Sequence, residues 1–159
     1  MSKRTKELEK LWWDWLSTAE RLLRSLYEQT AALTLRDIDR VERIQPELDS
    51  MMELMADIDN RAAECGKLLA AELDCDPNLR SLVPKLSKEE GQQLQGIANR
   101  VIVVGRNVQE VISKNRRLIE NELETVNGTM ALVAKEAIEQ NVKYRGSKKD
   151  ANVLVNQVA

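Results

Sequence analysis

The sequence predicts an all-α fold: an elongated antiparallel helical bundle, or coiled coil, of three long helices with short connecting helices and a flexible C-terminal tail. The 159 residues include only 6 glycines and 3 prolines, too few for the many turns of a sheet fold. Apolar residues recur at steps of three and four, the spacing that places side chains on one helix face. We expect residues 1–140 to form the bundle and residues 141–159 the tail.

A first helix is expected at about 5–33, where one face carries a continuous apolar stripe. The stripe consists of Leu8, Trp12, Trp15, Ala19, Leu22 and Leu26. Trp12 and Trp15 share that face and are predicted to be core residues, whereas Trp13 points about 100° away from Trp12 and is the better candidate for a contact surface. A short helix is expected at 35–45, with Thr34 as its N-cap.

Pro46 cannot donate an interior hydrogen bond, so a new helix is predicted at 46–74. Its heptad seam comprises Leu48, Met51, Met55, Ile58, Ala62, Cys65 and Leu69. Cys65 lies on this seam and is expected to be a buried, reduced thiol, while Cys75 lies at the helix end. A single helical turn at 77–83, with Asp76 as its cap, should then end at Pro84.

The last helix is expected at 88–140, because Ser87 and Glu90 form the S-x-x-E capping box. Its seam begins with Ile97, Val101, Val104, Val108 and Ile112. Gly105 and Gly128 weaken a helix interior, so we expect a bend or an interruption near one of them. Within Asn115-Arg116-Arg117, the favoured interpretation is a polar seam residue followed by two exposed cations, and the alternative is contact with a partner's carboxylate.

The second half of this helix carries an apolar stripe that we call the C-terminal stripe. It comprises Ile119, Leu123, Val126, Met130, Val133 and Ala137. A helix of fifty residues spans about 75 Å and helices of thirty residues about 45 Å, so the shorter helices cannot cover all of the longer one. The C-terminal stripe is therefore predicted to bind a partner.

The tail has a similar pattern on a smaller scale. Beyond a helix break at 143–147, an apolar face is formed by Ala151, Leu154, Val155 and Val158. Fewer than about twelve residues rarely hold a helix alone in water, so we expect the tail to order only when it docks. Leu154, Val155 and Val158 join the predicted partner-binding set.

Composition excludes much chemistry. The chain has no histidine, so histidine-based nucleophile pairs, phosphorelays and imidazole metal sites are ruled out, and the carboxylate clusters are best explained as solvated helix faces. We expect no catalytic residue, metal or cofactor. A net charge of −2 argues against nucleic-acid binding. The sequence predicts no signal peptide and no membrane span, and hence a cytoplasmic protein.

The order of elements resembles that of the FlgN-type flagellar export chaperones. The most specific likeness is Asn115-Arg116-Arg117-Leu118-Ile119 in the last helix, followed by a break that contains Tyr144 and Gly146 and by a tail of small residues. The resemblance implies a non-enzymatic chaperone that binds the C-terminal helical segments of hook–filament junction (hook-associated) proteins. It also implies that the chaperone delivers them to the flagellar type III export apparatus.

Two alternatives stay open at this point. A structural coiled-coil module would homodimerise through the C-terminal helix and need no other partner. An enzyme or nucleotide-binding bundle would have to work with carboxylates and lysines alone.

Overall fold

A computed structural model describes the backbone of residues 2–139, with the side chains of that range except those of 126 and 136–139. These residues form α1 (Lys3–Thr34), α2 (Ile38–Glu72), α3 (Leu79–Leu82), a 3-10 turn (Val83–Lys85) and α4 (Lys88–Glu139). Helices hold 91% of the described residues, and none of those residues lies in a strand. The all-α prediction is confirmed.

The two helices predicted on either side of Pro46 are a single helix, α2, so that prediction is wrong. An interior proline removes one backbone hydrogen bond and crowds a carbonyl, which costs about 3 kcal/mol. Here α2 has buried side chains on both sides of Pro46: Val41 and Ile44 precede it, and Leu48 and Met51 follow it. Each buried side chain of this size stabilises the fold by roughly 1.5–3 kcal/mol, so packing outweighs the local preference.

The turn between α1 and α2 also differs from the prediction, because Asp37 rather than Thr34 caps α2. Thr34 is the last residue of α1. Arg36 takes the left-handed conformation at φ 56°, and its N–H donates to the Leu33 carbonyl oxygen at 3.2 Å. Asp37 Oδ1 then accepts from the Arg40 N–H at 3.2 Å, which satisfies a free donor at the start of α2.

The start of α4 follows the sequence prediction. Ser87 Oγ accepts from the Glu90 N–H at 3.2 Å, as a capping box requires. The short α3 is capped by Asn78, whose Oδ1 accepts from the Ser81 N–H at 2.8 Å, and not by Asp76. From Lys88 the helix continues through Gly105 and Gly128, so neither glycine interrupts it.

The chain divides into two compact units, and the three longest helices of the described range contribute to both. Unit 1 contains residues 1–24 and 47–109, and unit 2 contains residues 25–46 and those from 110 onward. Unit 1 buries the seven predicted seam residues of α2, Leu48 to Leu69, together with Leu8, Trp15, Ala19 and Leu22 of the α1 stripe. Trp12 is half-buried.

Within unit 1, contacts between α1 and α2 show that the two helices are antiparallel. The Arg4 guanidinium pairs with Glu72, the last residue of α2. The Trp15 indole, later in α1, faces Asp59, which precedes Glu72 by about a third of the length of α2. The α4 backbone passes Trp15 at Gly105, where an added Cβ would lie 3.6 Å from the indole. The Trp15 contact therefore favours a small residue at this point of α4 without requiring glycine.

Candidate functional site

The polar centre of unit 2 is Asn115 of α4, whose side chain is fully buried. Its Nδ2 donates to the Leu26 carbonyl oxygen at 3.0 Å and to Gln29 Oε1 at 2.8 Å. Its Oδ1 accepts from the Thr30 hydroxyl at 2.6 Å. Both amide hydrogens and the amide oxygen are therefore hydrogen-bonded to α1. The predicted seam position of Asn115 is confirmed.

A second helix joins this group through Gln29. Gln29 Nε2 donates to Gln45 Oε1 of α2 at 3.4 Å, and both glutamines are buried. We call Asn115, Gln29, Thr30 and Gln45 the polar layer. Sequence reasoning identified Asn115 but missed its partners. A signal was present, because Gln29 follows Leu22 and Leu26 on the α1 seam at steps of four and three.

The two cations after Asn115 differ in exposure. Arg117 is exposed as predicted, whereas Arg116 is half-buried and engaged in an interaction of its own. Next to the polar layer, an apolar cluster closes the core of unit 2. It consists of Ala32, Leu33, Val41 and Ile119, with Leu118 and Leu123 packed against it.

Ile119, the first residue of the predicted partner-binding set, lies in this cluster. Ile119 is only 3% exposed and is covered by the chain's own α1 and α2, so it does not belong to an open surface. Leu123, one turn later, is half-buried. The coverage of α4 by the other helices of unit 2 therefore decreases from Ile119, which is buried, to Leu123, which lies at the edge of the cluster.

Beyond Leu123 the helix is open. None of residues 124–135 whose exposure the structure describes is buried. Met130 and Val133 are half-buried and share one face, whereas Leu132 is 70% exposed and points to another side of α4. Because Leu123 is only half-buried, we call residues 123–135 the open segment. The predicted residues Val126, Ala137, Leu154, Val155 and Val158 lie outside the side chains that the structure describes.

Acidic side chains flank the start of the open segment. Glu120 and Glu124 are exposed. Glu122 is less exposed, and its carboxylate forms an ion pair with Arg36 of the α1–α2 turn. The distance between Arg36 Nε and Glu122 Oε1 is 2.8 Å. An apolar face with a carboxylate rim can bind the apolar face of another helix and favours cations at that helix's edges.

Unit 1 offers a groove of about 300 Å³ between α1, α2 and α3. Its walls include Leu8, Trp12, Gly66 and Leu82, and Asp59 lies at its edge. Burial raises the pKa of the Asp59 carboxyl, and the facing Trp15 indole lowers it by less. Trp15 Nε1 is buried, and no acceptor among the described residues meets the geometry of a hydrogen bond to it.

Trp13, predicted to lie on a contact surface, is 42% exposed. The Arg100 guanidinium of α4 lies over its ring at 4.9 Å from the centroid. A cation over an indole face contributes about 0.5–1 kcal/mol at an exposed site. Trp13 therefore already has a partner within unit 1.

Within residues 2–139, no group of three or more histidine, cysteine or acidic side chains is arranged to hold a metal ion. No helix of the same range is long and apolar enough to cross a membrane.

Comparison with protein families identifies a match over most of the chain. A family model described as FlgN protein matches residues 1–151. No curated protein and no solved structure matches the chain significantly.

Proposed function

The chain belongs to the FlgN family of flagellar export chaperones, and from that premise we propose that it binds the C-terminal helical segments of hook–filament junction proteins. In this proposal it keeps these hook-associated clients unassembled in the cytoplasm and delivers them to the type III export apparatus. It catalyses no reaction and needs no cofactor. The family membership supports the class of protein, and the geometry of α4 supports the location of the client site.

The observation that carries the site is the end of coverage on α4. Ile119 is packed by α1 and α2, Leu123 packs at the edge of the same cluster, and none of residues 124–135 whose exposure the structure describes is buried. Apolar helix faces of this kind favour burial against another helix. We therefore place the client helix along Leu123, Met130 and Val133, and we leave Ile119 out of the surface.

The magnitude of this burial suits a transient complex. A client helix that covers about 500–800 Å² of apolar surface gains on the order of 12–20 kcal/mol at 25 cal/mol/Å². Loss of overall motion and ordering of the client remove much of that gain, which leaves micromolar to nanomolar affinity. A chaperone needs such affinities, because it must release its client at the export apparatus.

A second candidate function uses the same surface. The open segment could pair with that of a second copy, as in a structural coiled-coil module. This alternative predicts a stable dimer in the absence of any client. Light-scattering mass measured against protein concentration distinguishes the two, because the chaperone proposal predicts a monomer whose mass rises only when client is added.

The test of the site compares substitutions on two sides of the open segment. Met130→Asp combined with Val133→Asp places charges on the proposed client face, and Leu132→Asp places one on another face of the same turn. Leu123 is avoided, because it packs against the unit 2 core. The probe is the C-terminal segment of a hook-associated protein from the same organism.

We expect the Met130/Val133 variant to weaken client binding by about 100-fold or more, since buried carboxylates without partners are strongly disfavoured. Leu132→Asp should change the affinity by less than about threefold, as a surface substitution does. Both variants should keep the melting temperature of the unaltered chain. Equal effects of the two variants on binding would contradict the site.

A further inference from the structure

We propose that Asn115 is a positioning residue: it fixes the register of α4 against α1 and α2 in unit 2, and so determines where the covered part of α4 ends. This inference goes beyond client binding, because it concerns what sets the boundary between core and open surface. It stands on the polar layer, in which Asn115, Gln29 and Gln45 are buried and connect three helices.

The apolar residues of α4 do not fix a register by themselves. Ile112, three residues before Asn115, and Ile119, four residues after it, lie on the same seam. If α4 slid by one turn, about 6 Å, Ile119 would take the place of Asn115 and Leu123 the place of Ile119. Aliphatic side chains of similar size would then fill the cluster around Ala32 and Leu33, with little change in apolar burial.

The polar layer is not satisfied in that shifted register. Gln29 and Thr30 would face Ile119, and Asn115 would move to the half-buried position that Val111 now occupies, away from its three acceptors and donors on α1. Buried polar groups without partners are strongly disfavoured, and a partly satisfied network is less favourable than an apolar core. One buried asparagine on a helical seam can specify register in this way, at some cost in stability.

The consequence concerns the binding surface. In the observed register Ile119 is covered and Leu123, the next residue of the C-terminal stripe, is half-buried. A slide of one turn in the direction just described would bury Leu123 and shorten the open segment from its beginning. A slide in the opposite direction would expose Ile119. Asn115 therefore selects which residues of α4 a partner can reach.

The experiment measures the register directly. Spin labels are attached at Glu28 of α1 and Thr125 of α4, both exposed and both in unit 2, after replacement of Cys65 and Cys75 in the full-length chain. The two sites are offset along the bundle, so sliding α4 changes the distance between the labels. The unaltered Asn115 should give one narrow distance distribution.

Two variants separate register from stability. Asn115→Leu removes the donor to Gln29 Oε1, and Asn115→Leu with Gln29→Leu removes both members of that hydrogen bond. In each variant we expect a second distance, shifted by several Å because α4 slides by about 6 Å along the bundle, in roughly a tenth of the molecules or more. The double variant should melt at or above the temperature of the unaltered chain, since apolar replacement of a buried polar pair is often stabilising.

Thr18→Val is the matched control. Thr18 is a buried polar residue of α1 whose hydroxyl donates to the Asp14 carbonyl oxygen of its own helix at 2.9 Å. Its replacement removes a buried hydroxyl without a link between helices, so the distance distribution should stay narrow.

A single unchanged distance in the double variant would overturn the proposal, because the polar layer would then contribute to packing without specifying register. If Asn115→Leu alone fails to fold, the double variant still decides the question. A second distance in Thr18→Val would also contradict the proposal, since register would then depend on buried polar groups in general.

Discussion

Arg36 holds a left-handed backbone conformation, with φ 56°, and its guanidinium pairs with the Glu122 carboxylate across unit 2 at 2.8 Å. Glycine favours this conformation, and an L-residue with a long side chain adopts it at a cost of about 1 kcal/mol. The ion pair attaches the α1–α2 turn to α4 beside Leu123, where the open segment begins. Arg36 therefore combines an unfavourable backbone conformation with a contact between helices.

We predict that Asp74→Gly stabilises the chain more than Arg36→Gly does. Asp74 is left-handed as well, at φ 52°, but no ion pair is described for it. Asp74→Gly should raise the free energy of unfolding by about 0.5–1 kcal/mol. Arg36→Gly relieves the backbone cost but removes the ion pair with Glu122, which contributes about 0–1 kcal/mol. The net change in the free energy of unfolding should therefore be close to zero.

Urea unfolding measures both changes, and Glu122→Gln supplies the control. Glu122→Gln should lower the free energy of unfolding in the unaltered chain and have no effect in the Arg36→Gly background. If the two glycine variants gain equally, the Arg36–Glu122 pair contributes nothing to stability.

Pro46 gives a second prediction. Pro46→Ala should raise the free energy of unfolding by about 1–3 kcal/mol, because it restores a backbone donor and relieves crowding inside α2. Pro84→Ala is the control, since Pro84 lies at the start of the 3-10 turn, where the fixed φ of proline is compatible with the backbone. Denaturant titration of both variants tests this, and an equal response would mean that α2 accommodates its proline without strain.

The two cysteines, both free, should differ in reactivity. Cys65 is buried, and burial, followed by the charge of Glu7, raises the pKa of its thiol. Because the thiolate is the reactive form, both effects slow its modification at neutral pH. Cys75 is half-buried at the end of α2. Native-state labelling with a maleimide should therefore modify Cys75 first by a wide margin, and comparable rates would show that the α2 seam opens readily.

The chain beyond 140 lies outside the described residues, and the sequence-based prediction for it remains to be tested. Burying Leu154, Val155 and Val158 gains roughly 1.5–3 kcal/mol each, whereas ordering about nine residues costs about 1–2 kcal/mol apiece. Truncation after Gln140 should therefore leave the melting temperature unchanged and alter client affinity or export. A truncated chain that melts earlier would make this segment part of the bundle.

Long-range periodicity made most of the fold predictable. The stripe of α1 and the seam of α2 follow from apolar spacing alone, because a helix that buries one face must repeat apolar residues along it. Capping at Ser87 was predictable for the same local reason, since the motif is contained within four residues.

The errors occurred where tertiary packing overrode a local rule. Pro46 is a strong local breaker, yet Val41 and Leu48 on either side of it are both packed into cores, and burial exceeded the cost. Ile119 was assigned to the open surface because helix lengths alone could not show where α1 and α2 end along α4. The partners of Asn115 come from one segment of α1, 85 to 89 residues away, and no local pattern specifies such pairing.

Hydrogen–deuterium exchange with and without a client tests whether the open segment of α4 is the client site. The client is the C-terminal segment of a hook-associated protein, added at saturating concentration to the full chain. We predict that new protection is concentrated in residues 123–135 and is smaller in residues 3–24 and 47–109. New protection confined to residues 3–24 and 47–109, with residues 123–135 unchanged, would contradict the account.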